Sequence, residues 1–185
     1  LSSAISAYGE PELESNKIET QNLEKQQTVN NKNYYLINNL DEIDKWIEEA
    51  EEVGEVAVDT ETTSLDPHQA DLVGISLCSK IGKACYIPVG HKSPKCLKKE
   101  AVIKKLKKIL EDPSIKKIGQ NIKFDFIVFY KCGITLSSME DTMLMSYVLD
   151  AGKNRHNMDT LSEIHLGHKT ISFKEMVGTG KKEIN

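Results

Sequence analysis

Two carboxylates placed two residues apart at the end of an apolar run constrain this chain more than any other feature: Val56-Ala57-Val58-Asp59-Thr60-Glu61-Thr62. The β-branched Val56 and Val58, bounded upstream by Gly54, predict a buried strand whose polar end emerges at Asp59. Strand side chains alternate between faces, so Asp59 and Glu61 point the same way, close enough to share a hard divalent cation or to bridge two. Anions so placed repel one another unless a cation lies between them. By itself, such a pair also fits a strand end that runs into a polar loop, so the rest of the chain has to decide.

The 185 residues, 39% hydrophobic, suffice for one full core and predict one domain preceded by a tail. The start at Leu1 and the unclosed end, Lys181-Lys182-Glu183-Ile184-Asn185, give the expectation of a piece cut from something longer. A formal net charge of −4 argues against broad electrostatic capture of nucleic acid, while leaving room for a nucleic-acid enzyme with an acidic metal site. Cys78, Cys85, Cys96 and Cys132 form no C-x-x-C pair and are expected as reduced thiols rather than a disulfide framework or zinc site. With no signal-peptide pattern and no apolar run near the roughly 18 residues a membrane span needs, a soluble intracellular protein with no membrane partner is expected.

Residues 1–32 are polar and hold no period, which predicts a linker or disordered arm. Tyr34–Ile37 reads as a short strand, and Leu40, Ile43, Trp46, Ile47 and Ala50 recur at three and four, predicting an amphipathic helix over 41–52 capped near Asn39. Leu72–Leu77 and Ala84–Val89, joined by a Gly-containing turn, predict an antiparallel hairpin that extends the central strand into a meander. An amphipathic helix follows at 99–111, and its lysines, from Lys98 to Lys108, read as a solvated face. Lys116–Gly119 is a short strand, after which Gln120-Asn121 opens a helix to about Cys132, stopped by Gly133. Helices over about 139–149 and Met158–Leu166 complete an α/β domain with a mixed, five-stranded sheet flanked by helices.

The second carboxylate motif is Asn121-Ile122-Lys123-Phe124-Asp125, where Asn121 suits an N-cap and Asp125, one turn on, can project over the carboxyl edge of the sheet. Asp59-Thr60-Glu61-Thr62-x-Ser64-Leu65-Asp66 followed by Gly119-Gln120-Asn121-x-Lys123-Phe124-Asp125 resembles the first two motifs of the DEDD-type 3′→5′ proofreading exonucleases. The likeness continues through Asp141-Thr142-Met143-Leu144, Arg155-His156-x-Met158-Asp159-x-Leu161 and His168-Lys169-Thr170-Ile171-x-Phe173, and is similar in particular to the exonuclease domains of bacterial family A DNA polymerases. It implies an RNase H-like fold over 33–185 and two-metal hydrolysis of the 3′-terminal phosphodiester of single-stranded DNA, releasing a deoxynucleoside monophosphate. It further implies two divalent ions, Mg²⁺ or Mn²⁺ with Zn²⁺ serving in vitro. A polymerase domain would lie on the same parent chain, and the work would be replication and repair at the nucleoid in the bacterial cytoplasm.

By the same resemblance, Asp59 bridges both metals, Glu61 helps hold the hydroxide-bearing one and Asp125 reaches the other. Gln120 and Asn121 support the terminal nucleotide, Leu65 wedges against the terminal base, Phe173 stacks on a neighbouring base and Arg155 meets the backbone. Thr60, Phe124 and Met158 join them as nucleic-acid contacts. The family's third motif, Tyr-x-x-x-Asp, does not occur in these residues, and Tyr147-Val148-Leu149-Asp150 has the wrong spacing to replace it. The expectation is therefore a domain truncated before that motif and inactive by itself.

Two alternatives stand beside this one: a non-catalytic scaffold or DNA-binding module of the same fold, and a DEDD-type ribonuclease. Asp141 is expected as a cap or core-edge hydrogen-bond partner. Tyr34, Tyr35 and Trp46 read as core packing, His68 and His91 as solvent-facing loop residues, and His165 with His168 as a poor zinc pair.

Overall fold

The computed structural model describes residues 33–92 and 96–171. Six strands form one mixed sheet: β1 Tyr34–Leu36, β2 Glu55–Thr62, β3 Leu72–Lys80, β4 Lys83–Pro88, β5 Lys116–Gly119 and β6 Met139–Asp141. Their order across the sheet is β1-β4-β3-β2-β5-β6, and β3 alone runs antiparallel to its neighbours. The helices are α1 Leu40–Val53, α2 Lys99–Leu110, α3 Lys123–Lys131, α4 Thr142–Asp150 and α5 Met158–Leu166. None of them is long and apolar enough to cross a membrane.

The expected meander is present as β2-β3-β4. The sheet, however, has six strands where the sequence predicts five. β6 occupies the start of the segment expected as helix 139–149. Three residues leave no measurable period, and only pairing with β5, Lys117 against Met139 and Gly119 against Asp141, makes them a strand.

α1 forms where its pattern predicts. Asn39 accepts the Asp41 N–H at 3.1 Å, Asp41 and Glu42 sit at the positive end of the helix dipole, and Gly54 closes the helix at φ 78°, a conformation that costs glycine nothing. Ile43, Trp46, Ile47 and Ala50 are buried against β2, β3 and α2. Glu49 on the same helix accepts Lys83 Nζ at 2.8 Å and meets Lys80 Nζ at 3.4 Å, which clamps the β3–β4 hairpin to α1. Lys83 also lies 4.8 Å from the Trp46 ring centroid. Tyr34 and Tyr35, read as core residues, are instead about half exposed on edge strand β1, Tyr35 with its ring 5.9 Å from that of Trp46 on α1. The outer lysines of α2 are surface groups as expected, Lys105 pairing with Asp44 and Lys108 with Glu51.

Lys117 is fully buried. Its ammonium donates to the carbonyls of Ile109 at 3.3 Å, Asp112 at 2.6 Å and Ile115 at 2.5 Å, closing the carboxyl end of α2 onto β5. Burial lowers its pKa, against the attraction of Asp112. Lys117→Met keeps the volume but strands these carbonyls without a donor, at a cost of about 2–4 kcal/mol. The expected result is a lower urea midpoint with an unchanged m-value; a midpoint equal to wild type would contradict this account.

Candidate active site

β2, β5 and β6 are parallel neighbours, so their carboxyl ends fall on one edge of the sheet. That edge gathers the two motifs, Asp59 and Glu61 from the end of β2 and the 120–125 segment from the turn after β5. Val56, Val58 and Thr60 are buried, while Ala57 and Asp59 are half-buried and Glu61 is exposed. Asp59 and Glu61 therefore share the opener face, as the alternation predicts.

β5 runs beside β2 only over Glu55–Ala57. Beyond its end Asp125 meets the Thr60 main chain: Oδ1 accepts the Thr60 N–H at 2.9 Å and the Thr60 hydroxyl at 2.6 Å. Asp125 is consequently only 3% exposed, and not the surface residue that a capped helix alone would suggest. The same bonds turn the Thr60 hydroxyl inward, where it fixes a carboxylate.

The electrostatics follow from this crowding. Burial, then the charge of Asp125, then that of Glu61 push the Asp59 carboxyl up from 3.8 to about 6. Burial also raises Asp125, opposed by its two hydrogen bonds from Thr60. Among the described residues no lysine or arginine forms an ion pair with any of the three. The donor set, three carboxylates without a counter-cation, fits a hard divalent ion. Among the described residues no three acidic, His or Cys side chains are gathered closely enough to enclose one. The arrangement is an open cluster of carboxylates at the sheet edge.

Asn121 departs from its expected role. α3 begins at Lys123 with Ile122 in the capping position and no side-chain cap, while Asn121 takes a left-handed φ of 59°, which asparagine tolerates better than most residues. Asp141 makes this turn possible. Its Oδ1 accepts the Asn121 N–H at 3.0 Å and its Oδ2 the Ile122 N–H at 3.1 Å, while Oδ1 also caps α4 through Met143 N–H at 2.9 Å. The expected cap at Asp141 is thus observed on α4, and the same carboxylate holds the turn that leads into α3.

Gln120 is held by two hydrogen bonds. Its Oε1 accepts the Thr142 hydroxyl at 2.5 Å and its Nε2 donates to the His156 carbonyl at 2.7 Å, so the amide anchors the α4–α5 loop. His156, to which the sequence reading gave no role, is 6% exposed, hydrogen-bonded through Nδ1 to Ser146 Oγ at 2.7 Å and packed on the Tyr147 ring at 3.8 Å between centroids. Its position within Arg155-His156-x-Met158 was the available signal. The loop so anchored presents Arg155 and Met158 to solvent.

Leu65 is 97% exposed on a rigid support. Asp66 accepts from the His68 N–H and Gln69 Nε2, and Lys131 Nζ donates to the carbonyls of Pro67, His68 and Ala70. Phe124 is half-buried against the core. His91, expected to face solvent only, is bonded to the Tyr86 hydroxyl at 2.6 Å. His165 and His168 belong to no metal cluster among the described residues, and the four cysteines are free thiols. Phe173 and the arm over 1–32 lie outside the described residues.

A mixed sheet in this order, with acidic side chains at the carboxyl edge of its parallel strands, defines a nuclease domain of RNase H-like fold. In keeping with this, Brucella melitensis NrnC, in structures described as bound to pGG and with bound Mg²⁺, superposes with TM-scores of 0.56 and 0.57. The first is 26% identical and matches 75% of this chain and 62% of that one. Residues 34–185 match the 3′-5′ exonuclease family of A-type DNA polymerases, and the chain belongs to that family. It is 41% identical over 172 residues to DNA polymerase I of Rhizobium leguminosarum and 44% identical over 147 residues to that of Pseudomonas aeruginosa. These alignments take in 82% and 76% of the chain but only 17% and 16% of the relatives. The family match favours the exonuclease reading over the ribonuclease alternative.

Proposed function

We propose that the domain proofreads for a polymerase domain on the same parent chain, removing the 3′-terminal nucleotide of single-stranded DNA with two divalent ions, Mg²⁺ or Mn²⁺, held by Asp59, Glu61 and Asp125. The observation that carries this is the crowding at Asp59, whose carboxyl is pushed up to about 6 beside two further carboxylates with no cationic partner. A divalent cation bound among these carboxylates would offset that repulsion, as burial and like charge gathered at one site are typical of functional carboxylates.

When bound, divalent ions supply a hydroxide nucleophile at neutral pH and neutralise charge on the leaving 3′ oxygen. Asp59, central to both neighbours, would help hold both ions. Asp125 is pre-set by Thr60, so one carboxylate oxygen stays turned away from those bonds. Leu65, on its pinned loop, wedges against the terminal base, Asn121 and Phe124 border the terminal nucleotide, and Phe173 stacks on a base for roughly 1–3 kcal/mol. Gln120 acts at one remove, holding the loop that offers Arg155 and Met158 to the strand. The product is a deoxynucleoside monophosphate, and the setting is the bacterial nucleoid.

The test uses the full-length parent protein on matched, 5′-labelled single-stranded DNA and RNA oligonucleotides with Mg²⁺. Stepwise shortening of the DNA from its 3′ end, stopped by chelation and at least about tenfold slower on RNA, is expected. Preference for RNA would transfer the domain to the ribonucleases. An inert parent protein would make it a scaffold.

A further inference from the structure

The open sheet face beside Asp59 and Glu61 continues onto β3 and β4. Ser76 stands opposite Asp59 and Tyr86 opposite Ser76, while Gly74 stands opposite Glu61. All of these positions share one face, because directly paired residues and residues two apart do so. The Tyr86 ring does not stay over its own position. It leans along the strand until its hydroxyl lies where a side chain of residue 74 would be, so that a Cβ built on Gly74 would overlap the phenol. Gly74 is therefore needed for space, and the hydroxyl comes to rest in the row of Glu61.

His91, on the loop after β4, holds it there. The hydroxyl and Nε2 are 2.6 Å apart, the rings meet edge to face at 5.7 Å and 68°, and the His91 carbonyl accepts the Cys96 thiol at 3.2 Å. Glu61 itself is exposed and its side chain makes no hydrogen bond or ion pair among the described residues, so its carboxylate has rotamers to choose from. We propose that Tyr86, braced by His91, is a positioning residue for Glu61, its phenol filling the β3 side of the glutamate so that the carboxylate turns toward Asp59. Burial, then the charge of Glu61, push the Tyr86 hydroxyl up to about 12, which keeps it neutral beside the carboxylate at working pH. The inference rests on the assignment of Glu61 to the exonuclease site.

The experiment compares wild type, Tyr86→Phe, His91→Ala, their double variant and Asp59→Ala in the full-length parent protein. It reads exonuclease kcat and KM on single-stranded DNA, the Mg²⁺ concentration at half-maximal rate, and the melting temperature. Tyr86→Phe keeps the ring and loses the brace. It is expected to lower kcat about five- to tenfold with KM within about twofold, and to raise the Mg²⁺ requirement severalfold at an unchanged melting temperature. His91→Ala should match it, and the double variant should be no worse than either, since both remove one bond. Wild-type kcat and Mg²⁺ dependence in both single variants, effects confined to KM, or additive losses would overturn the proposal. Should Tyr86→Phe melt lower, the exposed His91→Ala decides alone. An active Asp59→Ala would bring down the site assignment itself, whereas an inactive Asp59→Ala beside a wild-type-like Tyr86→Phe and His91→Ala would defeat this inference only.

Discussion

Asp59→Ala in the full-length parent protein should lower Mg²⁺-dependent release of the 3′-terminal nucleotide by about a thousandfold or more, while the metal-free domain becomes more stable. The loss follows from position. Asp59 is the one carboxylate whose charge is felt from both Asp125 and Glu61, so no neighbour can take over a bridging role. The gain in stability follows from the direction of its shift. A carboxyl raised from 3.8 to about 6 binds its proton more tightly in the folded chain than in the unfolded one. It therefore costs nothing below about pH 4, costs progressively more up to about 6, and imposes its full penalty above that. Half-burial and solvent screening reduce the penalty to roughly 1–2 kcal/mol. Thermal melts in chelator should thus place Asp59→Ala several degrees above wild type at pH 8 and close to it near pH 3.5. Saturating Mg²⁺ should close or reverse the difference at pH 8, because ligand binding stabilises only the protein that keeps the site. Equal melting temperatures at pH 8 would mean that Asp59 carries no buried charge, and wild-type nuclease rates would remove it from the site.

The second large effect concerns the ligand count. These 185 residues hold three carboxylates of the resembled set, and the Tyr-x-x-x-Asp of the third motif does not occur among them. Among the described residues no three potential ligands are gathered into a cage. The 185-residue chain assayed alone should therefore bind Mg²⁺ weakly and cut single-stranded DNA at least about a hundredfold more slowly than a chain continued through the parent's next Tyr-x-x-x-Asp. The deficit should be smaller in Mn²⁺, which accepts less regular geometry than the strict octahedron of Mg²⁺. Equal activity of the two chains would show that the catalytic set lies wholly within these residues.

A cavity of about 780 Å³ runs along α3, β6 and α4, lined by Ile122, Phe126, Met139, Leu144, Val148 and Leu149 among others. α4 and α5 bury none of their residues fully, and Val148 and Leu149 are among the most exposed apolar side chains.

By itself the sequence determined whatever depends on period and on local chemistry. β2 was legible because alternation at Val56 and Val58 carries over to Asp59 and Glu61, fixing which face they share. α1 was legible because apolar residues at three and four lie between a capping asparagine and a glycine. The β3–β4 hairpin followed from two β-rich runs about one turn. The carboxylate motifs could be named as a pair because their residue types and order resemble a known family. Tertiary structure alone decided what depends on strands meeting far from one another in the chain. β6 exists because β5 offers it an edge. Asn121 abandons helix capping because Asp141, twenty residues away, accepts its N–H and makes a left-handed turn affordable. Asp125 is buried because β5 stops short of Thr60, leaving a main-chain donor that a carboxylate must satisfy. The Tyr86 phenol lies over Gly74, in the row of Glu61, because strand pairing sets a residue without a side chain there. A period reports which face a residue takes, but only the pairing of strands fixes what stands across from it.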